Sequence, residues 1–76
     1  MPETHTELPA FVRAWLAADP NHPEPSAELF LYEAEMWELE AVYHQLMGNE
    51  AGYQLAQYRK GAMLTAAQIM ETTNAS

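Results

Sequence analysis

Residues 26–47 read SAELFLYEAEMWELEAVYHQLM, and within them Leu29, Tyr32, Met36, Leu39, Tyr43 and Leu46 recur at spacings of 3, 4, 3, 4 and 3. That is the a/d repeat of a helix made to lie along another helix. Ser26 offers a side-chain oxygen to the first free backbone N–H groups, and Glu28 in the first turn favours the helix dipole. Gly48 supplies the left-handed residue that ends a helix at Met47. A helix over 26–47 is therefore predicted, spanning ~33 Å.

The segment beyond it reads as a second long helix over 50–73. Asn49 can cap it and Glu50 opens it. Leu55, Tyr58, Ala62, Met63, Ala66, Ile69, Met70 and Thr73 fall on one face, in phase across Gly61. One continuous helix fits this phase, although Arg59-Lys60-Gly61 also reads as a helix C-terminus. The Gly48-Asn49 turn is tight, which predicts an antiparallel hairpin. Ala56, Ala62, Ala66 and Ala67 are expected to let the bulky seam of the preceding helix approach closely.

Upstream, Leu8, Phe11, Val12, Trp15 and Leu16 recur at helical spacing and predict a short helix over 7–18. Thr6 would act as its cap, and Pro9 would fall in its first turn, where a missing N–H is tolerated. Met1 to His5 form a polar lead. Pro20, Pro23 and Pro25 exclude helix from 20–25 and make that stretch a stiff, extended connector.

The long central helix carries more apolar surface than one neighbour can cover. Phe30, Ala34, Trp37 and Ala41 form a second strip on a different side, with Glu33, Glu40 and His44 between the two strips. Leu31 and Val42 lie on another side, among Glu28, Glu35 and Glu38. The short helix could fold over Phe30 and Trp37, or two hairpins could pair, or the surplus strip could stay open for a foreign partner. Pairing buries the most per residue, and a cysteine-free chain of 76 residues has few other means of support. The expected architecture is all-α, a single helical domain over 1–76: a short N-terminal helix plus a long antiparallel hairpin, paired into a homodimeric four-helix bundle.

Composition narrows the function classes. The formal charge is −8, from 11 acidic residues against Arg13, Arg59 and Lys60. Such a chain is repelled by nucleic-acid phosphates and anionic membranes, so neither is an expected partner. Acidity suits a basic protein partner instead. No apolar run approaches the ~20 residues of a membrane span, and no basic-then-apolar leader is present, so the expected location is cytoplasmic.

Three constellations could carry function. Glu40 and His44 sit one helical turn apart with Glu33 two turns before Glu40, a spacing from which a metal ion could be held. Di-iron bundles need further inward carboxylates on neighbouring helices. Helix three has only Glu50 and Glu71, both at its ends, so no metal or cofactor is expected. Glu24, Glu28, Glu35 and Glu38 form an acidic ridge that could imitate a phosphate backbone and occupy a nucleic-acid-binding protein. Phe30 and Trp37, flanked by Glu28, Glu35 and Glu38, are the expected partner-binding residues, because large aromatic residues dominate binding energy.

Acid–base catalysis needs a positioned His or carboxylate facing a pocket. His5 and His22 sit in the lead and the connector, and Ser26 is used as a cap, so no enzyme activity is expected. In length and composition the chain resembles small accessory proteins of phages, plasmids and operons, without a shared motif. The expected function is a non-enzymatic protein-binding module that regulates, inhibits or scaffolds a larger protein.

Overall fold

The computed structural model describes residues 7–75. Among them the chain forms three α-helices and no strand: α1 (Ala10–Ala18), α2 (Ala27–Leu46) and α3 (Glu50–Ala75). The polar lead and the Thr6 cap lie outside the described residues.

Helix α1 begins at Ala10, three residues later than the apolar spacing suggested. The ring of Pro9 disfavours helical backbone at Leu8, which keeps residues 7–8 out of the helix, and Pro9 itself stands extended at the N-cap at φ −56°, ψ 151°. Its carbonyl then accepts the first helical bond from Arg13 N–H at 3.0 Å. The connector holds the turn after α1 locally, with Asp19 Oδ1 accepting from Asn21 N–H at 3.0 Å.

The hairpin is closed by short-range chemistry. Ser26 Oγ accepts from Leu29 N–H at 3.1 Å at the start of α2. Gly48 takes φ +74°, the left-handed region that glycine enters without penalty. Asn49 N–H then donates to His44 O at 2.8 Å, and Asn49 Oδ1 accepts from Gly52 N–H at 3.0 Å to cap α3. Helix α3 runs through Gly61 without a break.

The face of α2 that packs on α3 is not the Leu29–Leu46 seam. Phe30 and Ala41 are 0% exposed and Ala34 is buried, whereas Tyr32, Leu39, Tyr43 and Leu46 are 56%, 61%, 57% and 81% exposed. The strip read as surplus is the core strip, and the heptad seam looks outward from Tyr32 onward, its first member Leu29 being partly buried against the core. Extended by one residue at each end, the core strip reads Ala27, Phe30, Ala34, Trp37, Ala41 and His44, with the same 3, 4, 3, 4, 3 spacing. Helix α2 thus carries two such rows, offset by two residues and so ~160° apart around the helix.

Size decides between them. Alanine at every seventh position lets the two backbones approach, and the α3 face opposite is equally small: Ala56, Ala62, Ala66 and Ala67 are buried beside Met63. A row of Leu, Tyr and Met would hold α3 off and leave voids between the alanines. For the same reason Leu55 and Tyr58, expected on the inner face of α3, stay exposed while Ala56 turns in.

Three contacts fix the register: Arg59 over Trp37, Lys60 Nζ on Glu38 Oε1 at 2.9 Å, and Gly52 against the His44 ring. They place Ala41 level with Ala56. Helix α1 lies along one flank of the pair. Phe11 meets Trp37 edge-on at 5.9 Å, Trp15 meets Phe30 at 6.5 Å, and Val12 joins Phe30, Ala34, Ala62, Met63, Ala66 and Ala67 in the core.

Candidate functional site

Two surfaces stand out. The first is an open cleft of about 380 Å³ beside α1, lined by Glu33, Met36, Trp37, Glu40 and Arg59. Helix α2 brings Glu33, Trp37 and Glu40 to one side by their i, i+4, i+7 spacing, and Arg59 reaches across from α3. The guanidinium carbon sits 5.0 Å from the Trp37 ring centroid and 5.3 Å from that of Phe11. That places a cation on two aromatic faces, joining all three helices at one point. Burial pushes the Glu33 carboxyl above its ordinary value of 4.5.

Trp37 Nε1 is buried and, among the described residues, has no acceptor. An orphaned donor of this kind costs about 1–3 kcal/mol. The cleft lining contains no hydroxyl, thiol or imidazole. It offers two carboxylates, an indole edge and a guanidinium already engaged with two rings, a set suited to contact.

The metal candidates divide between two settings. Glu33 and Glu40 both line the cleft, while His44 Nε2 pairs with Glu40 Oε1 at 3.4 Å and its Nδ1 lies 3.3 Å from Asn49 Nδ2. His44 also packs where a Cβ on Gly52 would sit. It is a structural wedge at the hairpin turn. Among the described residues no three His, Cys, Asp or Glu side chains come together in a group that could hold a metal ion.

The second surface is the outward face of α2. Tyr32, Met36, Leu39, Tyr43 and Leu46 stand open along it, with Leu31, Val42 and Met47 beside them. At about 150–250 Å² for a large side chain, the exposed fractions of the five seam residues amount to roughly 500–600 Å². The largest apolar patch of an ordinary monomer is about 300–600 Å², so this seam alone reaches the upper end of that range. Glu33 and Glu40 border one side of it, and Glu28 and Glu35 the other.

Of the expected partner-binding residues, Phe30 is enclosed in the core and Trp37 is half-buried under Phe11 and Arg59. Glu28 and Glu35 are exposed, and Glu38 is bonded to Lys60. The acidic ridge is thereby thinned to Glu24, Glu28 and Glu35, with Leu31 and Val42 open among them. Arg59 escaped sequence reasoning because its partners come from α1 and α2. A lone arginine on the apolar side of a helix that otherwise buries alanine was the available sign.

No helix among the described residues is long and apolar enough to cross a membrane. Comparison with protein-family models, with curated proteins and with solved structures found no match.

Proposed function

We propose that this chain is a non-enzymatic protein-binding module whose working surface is the outward face of α2. The observation that carries the reading is the Tyr32–Met36–Leu39–Tyr43–Leu46 row, left open at heptad spacing on the side opposite α3. A helix apolar on both sides belongs between neighbours on both, and here α3 and α1 both pack on the core side. The chemistry of the row calls for a helix with its own apolar stripe, laid along α2. Regulation, inhibition or scaffolding of a larger protein would all use such a contact.

The acidic borders of the row favour approach of a basic protein surface. Mimicry of nucleic acid has less behind it, because Glu38 is committed to Lys60 and apolar residues interrupt the ridge. The test is capture from the native host with three baits: wild type, Leu39→Glu and Trp37→Phe. Specific binding that is lost with Leu39→Glu and kept with Trp37→Phe is the expected result. Capture indifferent to Leu39→Glu would remove the outward face from the reading.

A further inference from the structure

Resting on the reading of this row as the working surface, we infer that the outward face of α2 is occupied by a second copy of the same chain, which a foreign partner would have to displace, running antiparallel, with the two-fold axis between Met36 and Leu39. The spacing 3, 4, 3, 4, 3 is the same read in either direction, and the row Leu, Tyr, Met, Leu, Tyr, Leu differs on reversal only by exchange of the central Met and Leu, two side chains of similar size and polarity. Turning one copy end over end sets Tyr32 on Tyr43 and Met36 on Leu39 of the second copy, and brings Leu46 to the uncovered part of Leu29, which is otherwise packed against its own core. Every layer then holds one a and one d residue, as an antiparallel helix pair requires, and equal side-chain classes meet in each. A two-fold interface must be self-complementary, and this row is.

Area agrees. Complete burial of the row on both copies would remove roughly 1,000–1,200 Å², at the lower bound of specific interfaces. The offset of the two rows of α2 shapes the product. Because the outward row lies ~160° from the core row, the four long helices form a flat row, α3–α2–α2–α3, and not a square bundle.

Charge sets the strength. Antiparallel pairing brings Glu33 beside Glu40 of the second copy on one border, twice over, and Glu35 beside Val42 on the other. Like charges oppose the contact at low ionic strength, so salt tightens it by screening. A foreign partner of complementary charge would respond in the opposite sense.

The chain has no cysteine, so introduced thiols report register without background. Tyr32→Cys and Tyr43→Cys chains are oxidised separately and as an equimolar mixture, and the wild type is sedimented at micromolar concentration in low and high salt. Expected are a wild-type dimer that tightens with salt, a disulfide between positions 32 and 43 in the mixture, and little in either variant alone. In the antiparallel register position 32 of one copy and position 32 of the other are 11 residues apart along the axis, which is ~16 Å and beyond disulfide reach.

Leu39→Glu, still helical by circular dichroism, should weaken association at least about a hundredfold. A Tyr32→Cys homodisulfide would mean parallel pairing and overturn the inference, as would a wild type monomeric to ~100 µM in both salts. In the monomeric case, host capture that still depends on Leu39 leaves the protein-binding reading standing. Capture indifferent to Leu39 removes both.

Discussion

The two rows of α2 invite a direct comparison of one substitution at two neighbouring positions. Leu39 and Ala41 are two residues apart on opposite faces, the first 61% exposed and the second 0%. Glutamine at both removes apolar character without adding charge. At Leu39 the change forfeits only the covered part of the side chain, about two-fifths of the ~1.5–3 kcal/mol that complete burial of a leucine provides, or about 1 kcal/mol. At Ala41, level with Ala56, four further heavy atoms, a methylene and a carboxamide, must enter a space filled by alanine. Overpacking costs about 1–3 kcal/mol and an unsatisfied buried amide about 1–3 more.

A chain of this length has a total stability of about 4–11 kcal/mol. Ala41→Gln therefore consumes much of it and Leu39→Gln little. Urea unfolding followed at 222 nm, at sub-micromolar concentration to keep self-association out of the measurement, resolves the two. With a slope near ~1 kcal/mol/M, Leu39→Gln lowers the midpoint by about 1 M and Ala41→Gln by about 2 M or more. A larger loss at Leu39 than at Ala41 would mean that the Leu29–Leu46 row faces α3 after all.

The two open tests of α3 backbone are Gly61→Ala and Gly52→Ala. No atom lies within 4 Å of a Cβ at Gly61, so alanine there should raise stability by about 0.5–1 kcal/mol. At Gly52 a Cβ would sit 2.7 Å from His44 Nδ1 and 2.8 Å from Asn49 Nδ2, so that gain should be cancelled or reversed in thermal melts. Trp37→Phe should cost less than about 1 kcal/mol, because no hydrogen bond of the indole is lost, and Arg59→Met about 1 kcal/mol through the two rings it covers. Trp37→Ala, by contrast, should cost about 3 kcal/mol in the same denaturation assay. Glu33 binds its proton more tightly in the folded chain than in the unfolded one. Its ionisation therefore subtracts stability as pH rises through the folded value, and Glu33→Gln should exceed wild type at pH 7 and match it once both states are protonated at low pH.

What could be read from the sequence was what local chemistry decides. Three prolines in 20–25, the oxygen of Ser26, the glycine at 48 and the amide of Asn49 each act on backbone within a few residues, and each does so in the structure. The choice of face on α2 is a tertiary matter. Both rows have identical spacing, so periodicity could not rank them, and the larger side chains of the wrong row drew the eye. The information lay in matching sizes across helices: Ala27, Ala34 and Ala41 at seven-residue intervals, against Ala56, Ala62, Ala66 and Ala67. The Arg59 contact is less legible still, since it needs the docked positions of both Phe11 and Trp37. Pro9 stands just outside the first turn, at the N-cap, and the restriction its ring imposes falls on Leu8, which excludes residues 7–8 from the helix.

The way α1 is attached has a consequence for how the molecule breathes. Nine residues are too few to hold a helix in water alone, and α1 is fastened by Val12, Phe11, Trp15 and the Arg59 guanidinium. The α2–α3 pair has its own closed turn, its own caps and an interface that runs the length of α2. Release of α1 is therefore a smaller excursion than global unfolding, and its amides should exchange with deuterium well ahead of those flanking Ala34 and Met63. Each such opening bares Phe30 and the indole edge of Trp37 to water while the outward row of α2 stays where it was.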